Sequence, residues 1–260
     1  MNDHRQFGFP SDDLSPESWR VNRILRFEAG TESVASDEIV ESRFVTQLDG
    51  IETPHRICLP DGYVSSYSYP LIVWFHDDSA DEDEVADILP RISERNYIGL
   101  ALRGNMPREI GHGWSTSEAR WSKLADDLDQ LIAAMEERHL VHADRMYLAG
   151  SGAGGSLAWE VLLRQPARWA GAICLAGKFP QFPHPLANFR QLQQRRLLLS
   201  TGLDSPAAAV NDLINSGRLM YSAGMQVGTR MYDAGHSAPS DKMLRDVDHW
   251  VMDSIATAIR

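Results

Sequence analysis

The stretch Leu148-Ala149-Gly150-Ser151-Gly152-Ala153-Gly154-Gly155-Ser156 joins an apolar strand-like run to an apolar helix-like run. Strand, glycine-crowded turn and helix in that order match the nucleophile elbow G-x-S-x-G, in which the middle residue attacks a carbonyl carbon. Gly150 and Gly154 fall on the two flanking glycines, which puts Gly152 in the middle. A glycine has nothing to attack with, and removing the nucleophile of a serine protease costs about 10⁶-fold in turnover. Two readings follow. Either the turn keeps Gly152 at its apex and has no nucleophile, or the register slides by one and Ser151 takes the part. The slide would set Ala149 and Ala153 where small flanking residues are required, and alanine fits a strained turn less well than glycine. It would also use a side chain that leaves the strand in the opposite direction from the apex. Ser156 lies one turn into the helix, where a serine hydroxyl bonds backbone.

Other residue types that carry chemistry are fewer. The run DDSADEDE (77–84) concentrates carboxylates beside His76. It has neither EF-hand nor zinc spacing, and acids at a helix start explain Asp81 to Glu84, so no metal is expected. Gly150, Gly152 and Gly155 spell G-x-G-x-x-G. A dinucleotide site would place that string on an early strand with an acid about 20 residues on, so no cofactor is expected either.

These groups need a scaffold, and the chain is long enough for one. Its 260 residues are 43% hydrophobic, which suits one globular domain with a sizeable core. No run of 18 apolar residues is present, so no membrane span is expected. The polar start MNDHRQFGFPSDD has no signal-peptide core. Cys58 and Cys174 sit in apolar runs and read as buried free thiols, which suits the cytoplasm. A formal net charge of -11 argues against nucleic acid and anionic membrane as partners.

Residues 1–38 carry little apolar periodicity and read as a flexible or loosely docked extension to a domain over 39–260. Within that domain strands are expected at 39–48, 55–60, 69–75, 98–102, 145–149, 172–176, 197–200 and 225–232. Helices are expected near 82–95, 118–139, 153–163, 207–223 and 240–258. Leu124, Leu128, Leu131, Ile132 and Met135 recur at helical spacing. Strands alternating with helices predict an α/β fold: a doubly wound, mostly parallel sheet flanked by helices.

With the elements in place, four segments resemble the α/β-hydrolase fold, specifically the phospholipase/carboxylesterase family and its dienelactone-hydrolase-like relatives. They are PLIVWFHDD, DRMYLAGSGAGGSLAWEVLLRQPARWAGAICLAG, LLLSTGLDS and MYDAGHSAP, within roughly residues 40 to 258. The resemblance implies a carboxylic ester hydrolase ancestry and a nucleophile–acid–histidine order of Gly152, Asp204 and His236. In such a triad the acid orients the imidazole, which moves a proton from the hydroxyl to the leaving group. It also implies an oxyanion-hole region at Asp77 and Ala153, and a pocket that includes His76 and Trp114. Arg103-Gly104 resembles the family's Pro-Arg-Gly turn, and Lys178-Phe179-Pro180 its loop over the active site.

The family's pattern has glycine after the histidine, where this chain has Asp77. A carboxylate about 5 Å from a developing oxyanion, at an effective dielectric of about 20, opposes it by about 3 kcal/mol. One oxyanion donor contributes roughly 3 to 4 kcal/mol, so the two effects nearly cancel. Two departures, at 77 and at 152, therefore point to a catalytically degenerate hydrolase that keeps a pocket for a small ester-like ligand or a protein partner. The alternative is a weak serine carboxylesterase using Ser151 with His236 and Asp204.

Overall fold

The computed structural model describes residues 44–45, 48, 50–203, 210–233 and 238–258. The chain divides into two units, 1–39 and 40–260, and every described residue belongs to the second.

Among the described residues an eight-stranded sheet forms the centre. Its strands are β1 (Phe44–Val45), β2 (His55–Cys58), β3 (Tyr69–Phe75), β4 (Ile98–Leu102), β7 (Val141–Ser151), β8 (Gly171–Leu175), β9 (Arg196–Gly202) and β10 (Gln226–Tyr232). They lie in the order β1-β2-β4-β3-β7-β8-β9-β10. The pairs β1–β2 and β2–β4 are antiparallel, and every later pair is parallel. The remaining pair, β5 (Met106–Pro107) and β6 (His112–Gly113), makes a small separate hairpin.

Among the described residues the helices are α1 (Glu84–Ile92), α2 (Glu118–Arg138), α3 (Gly152–Arg164), α4 (Phe189–Leu192), α5 (Val210–Ser222) and α6 (Asp241–Ala258). Parallel strands covered on both faces read as unbroken apolar runs, and YPLIVWF is buried along its whole length. The two-residue period survives inside that run. Leu71, Val73 and Phe75 join a core with residues of α2, α3 and α5, while Ile72 and Trp74 join a second core with residues of α1 and α6. On α2 the buried residues are Leu124, Leu128, Leu131, Ile132 and Met135, one stripe at helical spacing.

The expected architecture is therefore present, and between residues 50 and 203 the limits of the expected strands and helices lie within a few residues of those read from periodicity; most of the strand expected at 39–48 and the start of the helix expected at 207–223 lie outside the described residues. Cys58 and Cys174 are buried and unbridged. Among the described residues no helix is long and apolar enough to cross a membrane.

One acid of the 77–84 run departs from its expected part. Glu82 does not serve the start of α1; its side chain is buried and takes both Nε and Nη2 of Arg103, at 2.8 and 2.5 Å. That pair ties the loop after β3 to the end of β4. Arg103, in the turn that resembles the family's Pro-Arg-Gly, thus has Glu82 as its partner.

Candidate functional site

The site forms where β3 and β7 end side by side at the carboxyl edge of the sheet. β7 runs to Ser151, and α3 begins at Gly152 with no loop between them. The chain reverses through Gly152, whose φ is +52°, a left-handed value that costs a non-glycine residue about 1–2 kcal/mol. Gly150 and Gly154 are glycine for a different reason. A Cβ on either would lie well inside contact distance of backbone atoms, including the Phe75 carbonyl. The helix start is thus pressed against the end of β3, and no rotamer relieves the contact.

Past β3 the chain enters a loop that His76 holds. His76 is fully buried. Its Nε2 accepts the Gly104 N–H at 2.9 Å, which leaves Nδ1 protonated and donating to the Asp77 carbonyl at 2.7 Å. Trp114 Nε1 donates to the His76 carbonyl at 2.8 Å, and the two rings lie 4.8 Å apart. His76 was expected in the pocket. Instead it is a backbone clamp behind the pocket wall, because both ring nitrogens are taken. Trp114, the other residue expected there, does line the cavity.

Burial holds the His76 imidazole below its ordinary 6.5, with the bond to the Asp77 carbonyl opposing. Protonation then favours the unfolded chain, so this contribution to stability is present above 6.5 and lost as pH falls below it. We expect an NMR titration to show the Nδ1–H tautomer with a midpoint below 6.5. A midpoint at or above 6.5 contradicts the clamp.

The clamp aims Asp77 at the elbow. One carboxylate oxygen, Oδ1, accepts the Ala153 N–H and the Asp78 N–H, each at 2.8 Å. Two backbone donors converging on one oxygen at that distance have the geometry of an oxyanion hole, here filled by a side chain of the same protein. The carboxylate also fills the apex. A Cβ built on Gly152 would stand closer than 3.0 Å to Asp77 Cγ and to both its oxygens. Asp77 and Gly152, far apart along the chain, are sterically coupled: the absence of a side chain at 152 makes room for the carboxylate. Asp77 also faces the first N–H groups of α3, where a negative charge is favoured.

Ser151 is the last residue of β7, paired with Leu175 of β8 and 6% exposed, and its side chain makes no cap bond to α3. Ser156 Oγ donates to the Gly152 carbonyl at 3.1 Å and accepts the Lys178 N–H at 2.8 Å, so it serves backbone. Asp204 and His236 lie outside the described residues.

Beside the Asp77 carboxylate lies a cavity of about 510 Å³ whose walls include Trp114, Leu157, Phe179 and Pro180. Glu160 lines it too, a residue that periodicity hid in the helical run Trp159–Leu163. The one signal was a carboxylate amid apolar neighbours. Burial pushes the Glu160 carboxyl above its ordinary 4.5, against the pull of Arg164 at 2.9 Å. Arg164 is itself held between the Trp121 and Phe182 rings, 4.4 and 4.3 Å from their centroids. Asp78, the second donor to the hole, also went unread, since its contribution is a backbone N–H. Among the described residues no three His, Cys, Asp or Glu side chains are grouped to hold a metal ion.

A mostly parallel sheet with this elbow at its carboxyl edge is the α/β-hydrolase fold. The chain is similar to a carboxylesterase from Mesorhizobium loti, with a TM-score of 0.66 and 19% identity over 81% of this chain and 99% of that one. It is also similar to a Bacillus cereus carboxylesterase (TM-score 0.62, 14% identity, 79% and 96% covered). A phospholipase/carboxylesterase from Dyadobacter fermentans aligns at a TM-score of 0.57 and 14% identity, covering 77% and 96%. Neither a family model nor a curated protein matches the chain.

Proposed function

We propose that this protein is a carboxylesterase-like α/β-hydrolase that has given up serine-dependent ester hydrolysis and keeps its pocket for a small ligand. The observation that carries the reading is the Asp77 carboxylate, which takes both donors of the hole and fills the place of a nucleophile side chain. An ester bound here meets no hydroxyl at the apex and no free donor for its oxyanion. Asp204 and His236 are then relics of the triad. The buried Cys174, which forms no disulfide, supports a cytoplasmic setting. Residues 1–38 are an extension to the hydrolase-like domain.

The test is turnover of p-nitrophenyl acetate and p-nitrophenyl butyrate, with an active carboxylesterase assayed in parallel. The protein is expected to stay at the buffer rate. Turnover that is saturable and lost in Ser151→Ala overturns the reading in favour of a re-registered elbow.

A further inference from the structure

We propose that the elbow pocket binds a small organic ammonium ion, its N–H groups on the outer oxygen of Asp77 and its apolar body against Trp114 and Phe179. The inference rests on the reading that the pocket is kept for a ligand, and it names the ligand's chemistry.

An ester is recognised at an elbow by N–H groups that meet its carbonyl oxygen. Here those N–H groups are spent on Asp77 Oδ1. What the apex presents to the cavity is the rest of a carboxylate, an acceptor with lone pairs and a negative charge. Among the described residues Oδ2 has no hydrogen-bond partner, although Asp77 lines the cavity. A ligand that satisfies this position must donate, and one that also carries positive charge gains most.

Asp78 faces Arg108 at 3.4 Å, and Glu160 is paired with Arg164 at 2.9 Å. Lys178 also lines the cavity but is exposed to solvent. Asp77 is the lining carboxylate without a basic partner among the described residues.

The lining suits an organic cation better than a metal ion. Among the described residues no group of three ligating side chains forms here. The cavity walls instead offer Trp114, Phe179 and Leu157, surfaces that favour an apolar body and an ammonium near an aromatic face.

The experiment is calorimetric titration of the full chain at neutral pH with benzylamine, benzyl alcohol and benzoate, which share a ring and differ in charge. Benzylammonium is expected to bind at least about tenfold more tightly than benzyl alcohol, the scale of a charge-assisted hydrogen bond, and benzoate to give no saturable heat. Asp77→Asn keeps the size and loses the charge, and is expected to abolish the amine's advantage. Asp77→Ala frees the two N–H groups and is expected to reverse the preference toward benzoate. Alcohol binding as tightly as amine in the unaltered protein, or an amine preference that survives Asp77→Asn, overturns the inference. The first comparison needs no variant, so misfolding of a variant cannot hide the answer. Ester turnover decides the functional reading separately: an inert protein that prefers benzyl alcohol overturns only the ligand class, whereas a serine-dependent esterase that binds benzylamine overturns only the loss of hydrolysis.

Discussion

Gly152→Ser alone is expected to leave ester turnover near background, while Asp77→Gly combined with Gly152→Ser raises kcat/KM for p-nitrophenyl acetate about a hundredfold above the single variant. The single change supplies a hydroxyl but sets its Cβ inside the space of the Asp77 carboxylate. That carboxylate must swing out of the hole, and the charge stays close by. A repulsion of about 3 kcal/mol at about 5 Å corresponds to roughly a hundredfold in rate. Removing it in the same molecule leaves the Ala153 and residue-78 N–H groups free for the substrate's oxygen. The gain should vanish when His236→Ala is added, because the hydroxyl then has no base. Steady-state kinetics on the four proteins decide it. Equal turnover in the single and paired variants means that Asp77 does not oppose the oxyanion.

Gly154→Ala is expected to destabilise the fold by about 3 kcal/mol or more, read by urea denaturation. Its Cβ would run into the carbonyl oxygens of Phe75 and His76 and the Phe75 carbonyl carbon, all of them backbone. Relief requires moving α3 away from β3, which also carries the Ala153 N–H away from Asp77. Gly217→Ala is the control. There the nearest atom to a new Cβ is Thr229 Cγ2 at 3.5 Å, an ordinary contact, and the site lies within α5. Alanine is worth up to about 1 kcal/mol over glycine in a helix, so this variant should be unchanged or more stable. A mild Gly154→Ala would mean that the elbow is looser than its packing indicates.

What was legible in the sequence was whatever repeats along it. YPLIVWF, IGLAL and LLLS announce buried parallel strands, and the stripe from Leu124 to Met135 announces a helix; each is found where its period put it. The glycines at 150, 152 and 154 marked the strand-to-helix turn because such a turn tolerates little else. The short hairpin of β5 and β6 escaped notice, since two-residue strands have no period to read. The contacts that give the site its character also escaped, and for one reason. Whether Asp77 faces solvent or the elbow depends on how His76 ties down its loop, through bonds to Gly104 and to the Asp77 carbonyl that leave no mark in residue order. Glu82 misled in the same way, as an acid in a helix-start run that is in fact buried against Arg103.

The reading of an occupied elbow is tested most directly by intact mass after incubation with a fluorophosphonate probe, followed by peptide mapping. A phosphonylated serine needs a nucleophile at the apex and open donors for the phosphoryl oxygen. The protein is expected to remain unmodified, while an active carboxylesterase in the same experiment gains one adduct. An adduct on Ser151 would contradict the account, since the elbow would then have a working nucleophile and the Asp77 carboxylate would not be closing it.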